Sequence, residues 1–182
     1  AGTFSSSTGS SVCTECRAGY ECSASAEVAC GVGYYSSVKS TSCSVCPNGT
    51  YSDNEASESC KICEAGSKCQ KGVKTVCAAG SYSHEGSSQC FVCESGTYSG
   101  SNSSICTDCL AGHKCTTTTQ TICEEGFYSP SKSSSCIQCL AGTYTDTEGV
   151  DSCKICEAGN KCKDGAMEVC DVGFYSPEGS AE

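Results

Sequence analysis

Cysteine occupies 22 of the 182 positions, and its spacing repeats as C-x2-C-x5-C-x7-C-x12-C-x2-C followed by 12 or 13 residues. The series starts at Cys13 and begins again at Cys60, Cys106 and Cys153, a period of 46 to 47 residues. Some stretches repeat letter for letter: Ser59 to Gly66 and Ser152 to Gly159 both read SCKICEAG, and FYSP stands at Phe127 to Pro130 and again at Phe174 to Pro177. Segments this short, broken by glycine, leave no room for an amphipathic helix, and a 3.6-residue hydrophobic period occurs nowhere. A fixed period of this length marks a repeat architecture.

An ordinary core is also out of reach. Hydrophobic residues reach 37% only with cysteine counted, Trp is absent and Met occurs once. Without cysteine the apolar share is about a quarter, against nearly half in a typical globular domain. A cysteine content of about 12% points instead to a disulfide scaffold, and such bridges survive in secreted or surface compartments. The net charge of -10, with no basic face, argues against nucleic acid and anionic membrane as partners. No apolar run approaches the length of a membrane span, so no direct membrane insertion is expected of this segment.

Inside each period lies a finer unit, C-x2-G-x-[YF]-[ST], opened by Cys30, Cys46, Cys77, Cys93, Cys123, Cys139 and Cys170. A shorter relative, C-x-A-G-x-x-C, opens at Cys16, Cys63, Cys109 and Cys156, and its sixth position is itself cysteine. Glycine stands third after every opening cysteine, from Gly19 to Gly173, which predicts a turn at positive φ. The aromatic residue at the fifth position of the long loops, such as Tyr51 or Tyr144, is expected to cover a disulfide or glycine turn of the adjacent unit. The fold class that follows is a small disulfide-rich repeat: an elongated rod of short β-ribbons and glycine turns, with ribbons at Thr75-Val76 and Thr121-Ile122 and no helices of note. The expected organisation is 1–12 as the end of a truncated upstream repeat, 13–59, 60–105 and 106–152 as repeats 1 to 3, and 153–182 as a truncated fourth.

Two pairing schemes close the cysteine arithmetic. The sequential one joins Cys16 to Cys22, Cys30 to Cys43, Cys46 to Cys60, Cys63 to Cys69, Cys77 to Cys90, Cys93 to Cys106, Cys109 to Cys115, Cys123 to Cys136, Cys139 to Cys153 and Cys156 to Cys162. An interleaved one, with Cys46 to Cys63 and Cys60 to Cys69, uses the same residues, and sequence does not choose between them. Either way Cys13 and Cys170 are expected to find partners outside the segment or in a neighbouring chain. A four-thiolate zinc site at Cys43, Cys46, Cys60 and Cys63 has nearly the right spacing, but each such group would share ligands with the next. No cofactor is expected.

His84 and His113 lie at non-equivalent positions without a repeated Ser, Cys or carboxylate partner, so no nucleophilic triad forms and no enzyme is expected. Asp146, Glu148 and Asp151 lack the D-x-[DN]-x-[DN]-G calcium pattern and read as a solvated loop. Two sequons, Asn48-Gly49-Thr50 and Asn102-Ser103-Ser104, mark Asn48 and Asn102 for N-glycosylation.

The stretches CPNGTYSDNEASESCKIC, from Cys46 to Cys63, and CAAGSYSHEGSSQCFVC, from Cys77 to Cys93, resemble the cysteine-rich repeats of ephrin receptors. More loosely they resemble those of the tumour-necrosis-factor receptor family, whose modules interleave two bridges, whereas the x5 spacing here favours a small closed loop. The regular Ser/Thr/Gly filler looks closer still to protist surface proteins such as ciliate immobilisation antigens, which implies a glycosylated coat or appendage built from many copies. The expected function is therefore a structural extracellular repeat protein, a segment of a longer rod in a surface coat, fibre or filament, with self-association or continuation of the same chain as its partner. The alternative is a ligand-binding or adhesive receptor ectodomain. Metal analysis and thiol titration of the denatured chain should find no stoichiometric zinc and no free thiol beyond those of Cys13 and Cys170. Several reactive interior thiols would contradict the scaffold reading.

Overall fold

The computed structural model describes residues 2–182; Ala1, the first residue of the expected 1–12 segment, lies outside the described residues. There are no helices among them, only short two-stranded antiparallel ribbons tied by ten disulfides. The chain divides into two compact units. One runs to Ala78 and adds Tyr82–Phe91 and Ser101–Ile105; the other consists of Ala79–Ser81, Val92–Gly100 and Cys106–Glu182.

Each ribbon begins with the residue after the recurring third-position glycine and ends with the residue before the next opening cysteine. Thr50–Tyr51 pairs with Lys61–Ile62 in the first unit, and Thr143–Tyr144 with Lys154–Ile155 in the second. The ribbons closed by the small cysteine loops are longer: Ser67–Gln70 with Val73–Val76, and Asn160–Lys163 with Ala166–Val169. The Thr75-Val76 and Thr121-Ile122 segments lie in such ribbons, as the sequence predicts.

The glycine sets the spacing between loops. All eleven third-position glycines have positive φ, from 74° to 94°. In most loops the glycine N–H donates to the carbonyl at the sixth position of the next loop, as in Gly19 to Ser36 at 2.9 Å, Gly66 to Ser83 at 2.9 Å and Gly112 to Ser129 at 2.8 Å. The glycine carbonyl accepts from the next opening cysteine, for example from Cys30 to Gly19 at 2.8 Å and from Cys123 to Gly112 at 2.9 Å. Both polar groups of the turn are thus satisfied by the following loop, as backbone shielded from water requires. The approach is close: a Cβ on Gly112 would lie 1.9 Å from the carbonyl oxygen of Gly149.

What is buried is sulfur and hydroxyl. The buried apolar side chains are cysteines together with Tyr51 and Tyr144, and the buried polar ones are seven serines and Thr145. Apolar residues outside these rows stay in water, Val45, Ile62, Val76, Ile122 and Ile155 among them. A Gly112→Ala change should destabilise the chain by at least about 1–2 kcal/mol from the left-handed backbone alone, before the clash is counted. Gly31→Ala, where φ is not positive and a Cβ meets nothing within 4 Å, should be neutral or slightly stabilising. Guanidinium melts of the disulfide-intact variants measure the difference.

Candidate functional site

The chemistry-bearing residues are the cysteines, and the structure joins each opening cysteine to the next one along. In the first unit the bonds are Cys16–Cys22, Cys30–Cys43, Cys46–Cys60, Cys63–Cys69 and Cys77–Cys90. In the second they are Cys93–Cys106, Cys109–Cys115, Cys123–Cys136, Cys139–Cys153 and Cys156–Cys162. Neither Cys46–Cys63 nor Cys60–Cys69 forms, because Cys46 and Cys63 each hold a different partner. Cys43, Cys46, Cys60 and Cys63 have no thiolate left for zinc. Sulfur and carboxylate also meet at Cys16, Cys22 and Glu27, but there the two sulfurs are bonded to each other. Cys13, exposed, and Cys170, half-buried, carry free thiols.

The sixth position explains why long and short loops alternate without disturbing the stack. In short loops it is a buried half-cystine, such as Cys69 or Cys162. In long loops the same place holds a buried hydroxyl, whose oxygen lies 3.3 Å from the opening sulfur at Cys93 and Ser99, and 3.5 Å at Cys123 and Ser129. That hydroxyl then donates to a carbonyl of the preceding loop: Ser36 to Tyr20 at 2.8 Å, Ser129 to His113 at 2.8 Å, Ser176 to Asn160 at 2.7 Å. In Ser52 and Thr145 it turns to its own loop, bonding the carbonyls of Asn54 and Thr147. The sequence pattern already equated serine with cysteine at this position, but only the structure shows that both fill one buried socket.

The fifth-position rings do cover bridges where they are most buried. Tyr51 packs on Cys63 and Cys69, and Tyr144 on Cys156 and Cys162. Their cross-strand partners cap them. Lys61 lies 6.0 Å from the Tyr51 centroid and Lys154 lies 5.8 Å from that of Tyr144, each lysine bonded to an aspartate, Asp53 or Asp146, at 2.6 Å. Tyr51 carries a second cation, Lys74, whose ammonium pairs with Glu64. The hydrogen bonds from these lysines hold the Asp53, Glu64 and Asp146 carboxyls below the usual carboxylate range. Depressed values mean that these pairs stabilise the fold fully above the ordinary carboxylate pKa, and that their contribution fades as pH falls through the lowered one. The three carboxylates are exposed, so solvent keeps the effect small.

The remaining candidates do not converge. His84 is exposed and stands edge-on to Tyr82, with ring centroids 5.4 Å apart. His113 is half-buried in its ribbon, with Nδ1 3.1 Å from the Ala111 carbonyl oxygen. Asp146 is taken by Lys154, and Asp151 accepts from the Ser152 hydroxyl at 2.9 Å. Asn48 is exposed in the turn where Thr50 N–H bonds the Pro47 carbonyl at 3.0 Å. Asn102 is exposed at φ 60°, its N–H bonded to the Cys77 carbonyl at 3.0 Å.

The family model described as tyrosine-protein kinase ephrin type A/B receptor-like matches residues 33–72 and 126–166. No curated protein matches the chain. The matched segments occupy the same place in two copies of the repeat, and each contains a Tyr ring packed on the next short-loop bridge. Over these two segments the chain is therefore similar to ephrin-receptor-like cysteine-rich modules. No helix among the described residues is long and apolar enough to cross a membrane.

The shared socket gives a direct test. Ser129→Cys places a thiol where the Ser129 hydroxyl already touches Cys123, so oxidative folding should yield Cys123 bonded to position 129 and free the thiol of Cys136. Non-reducing peptide mapping reads this; an unchanged Cys123–Cys136 bond with a free thiol at position 129 in every molecule would show that the socket does not set the pairing.

Proposed function

We propose that this chain is a structural segment of an extracellular coat, fibre or filament, in which the number of loops sets length. The observation that carries this reading is the backbone ladder: in each unit a glycine N–H and carbonyl are satisfied by the following loop, as from Gly66 to Ser83 in one and Gly112 to Ser129 in the other. Such a contact can be repeated indefinitely without a new interface, which is the property of a solenoid. The 13–59, 60–105 and 106–152 repeats are the natural units of that extension, and the thiols of Cys13 and Cys170 are suited to pair with cysteines of adjoining repeats. Bridges at about every sixth to fourteenth residue also leave few stretches that a protease can engage. Glycans at Asn48 and Asn102, both exposed, would add a hydrated layer.

A receptor-type ectodomain is the second reading, favoured by the family description and by one break in the pattern. Where Lys61 and Lys154 cap their tyrosines, Phe91 meets Tyr82 at 5.8 Å and His84 stands 5.4 Å from the same ring, an aromatic group unlike the polar filler of other loops. Exposed aromatic clusters are common recognition points. Electron microscopy of the native material separates the readings: extended, regularly periodic particles or filaments are expected, and compact, separate monomers would contradict the structural role.

A further inference from the structure

The segments from Cys46 to Cys77 and from Cys139 to Cys170 align without a gap, 93 residues apart, and their differences concentrate a reversal of charge in one place. In the first copy the Lys74 ammonium lies 5.2 Å from the Tyr51 centroid and pairs with Glu64, which also accepts from the Tyr51 hydroxyl at 3.2 Å. The matching residues in the second copy are Tyr144, Met167 and Glu157, so that internal cation is missing. Lys154 is bonded to Asp146 at 2.6 Å, as Lys61 is to Asp53 in the first copy, and does not replace it.

Beside Met167 lies an open hollow of about 420 Å³ lined by Glu125, Tyr144, Asp146, Asp164, Ala166 and Met167. Three of its positions differ from the first copy in one direction. Val32, Lys71 and Lys74 stand there where Glu125, Asp164 and Met167 stand here, so two positive charges in one copy become two negative charges in the other. The backbone beneath is alike. Tyr51 bridges Gly72 as Tyr144 bridges Gly165, and a Cβ on Gly33 would lie 3.3 Å from the Lys71 carbonyl oxygen, as one on Gly126 would lie 3.4 Å from that of Asp164. The chemistry changes on a fixed frame.

We propose that this hollow binds a lysine side chain presented by a basic segment of a partner protein. The ammonium lies between the Glu125 and Asp164 carboxylates, and the alkyl stem runs along Met167 and Ala166. Lysine is an apolar stem with a compact terminal charge, and the hollow offers an apolar floor and an anionic rim. Met167, 39% exposed, lines the hollow together with Tyr144, which is only 4% exposed. A flexible thioether in that position adapts to an incoming chain. A net charge of -10 favours the approach of a basic partner, and salt weakens it.

Met167 is the sole methionine, so a methyl-labelled sample gives one resonance at the site itself. The disulfide-intact chain is titrated with an N-acetylated, C-amidated trilysine peptide and with the same peptide acetylated on every Nε. The expected result is a saturable shift of the Met167 methyl with the first peptide and none with the second. Glu125→Gln with Asp164→Asn should weaken binding about fivefold or more, whereas Glu85→Gln with Glu94→Gln, which removes the same charge elsewhere, should leave it nearly unchanged. Introducing Val32→Glu, Lys71→Asp and Lys74→Met into the first copy should raise the stoichiometry from one peptide to two. An unmoved methyl, or equal weakening by both pairs of substitutions, overturns the proposal. If the substituted chains fail to form the native bridges, the wild-type comparison of the two peptides still decides.

Discussion

A loop of about a dozen residues cannot bury enough apolar surface to offset the backbone entropy it loses on ordering, so the bond between an opening cysteine and its partner must limit the unfolded alternatives. The buried side chains follow from that constraint. Apart from Ser67, they are half-cystines, the hydroxyls that replace them at the sixth position, and the two rings laid over neighbouring bridges. Closing a loop of this size stabilises by about 3 kcal/mol through the unfolded state, a large share of what such a loop can contribute by itself.

The bond alone would leave a string of independent loops. Glycine turns it into a stack, because positive φ at the third position aims an N–H at the next loop and, at positions such as Gly19, Gly49 and Gly112, brings two backbones closer than any Cβ would permit. The sixth residue completes the contact by presenting its carbonyl to that N–H, whether its side chain is Ser83, Ser129 or Cys69. Substitution is therefore free on the outside, where Lys, Glu, Ser and Thr vary, and narrow at three places in each loop. The charge reversal around Met167 lies among the free positions, which is why two copies with one frame can present opposite surfaces.

Much of this was legible in the cysteine spacing. Repeats, the absence of helices, short ribbons such as Val73–Val76 and the positive φ of Gly19 or Gly112 follow from where Cys and Gly recur. The choice between sequential and interleaved bonding was not legible, since Cys46, Cys60, Cys63 and Cys69 serve both schemes and only distance in space separates them. Nor was the burial of Ser36 or Ser129: a serine in a polar loop looks like filler until the carbonyl it reaches, sixteen residues earlier in the chain, is seen beside it. His113 is likewise half-buried, in a ribbon whose His113 carbonyl accepts from Ser129 of the following loop. The capping of Tyr51 by Lys61 and of Tyr82 by Phe91 depends on cross-strand register, which a sequence with such short strands does not display.

Full reduction and alkylation of all cysteines, followed by limited proteolysis under native conditions, tests most directly whether sulfur bonds stand in for a core. The account predicts that the alkylated chain loses its β-ribbons and is cut throughout the inter-cysteine segments, while the oxidised chain resists. An alkylated chain that kept its protease resistance would show that another interaction holds the fold and would contradict the account.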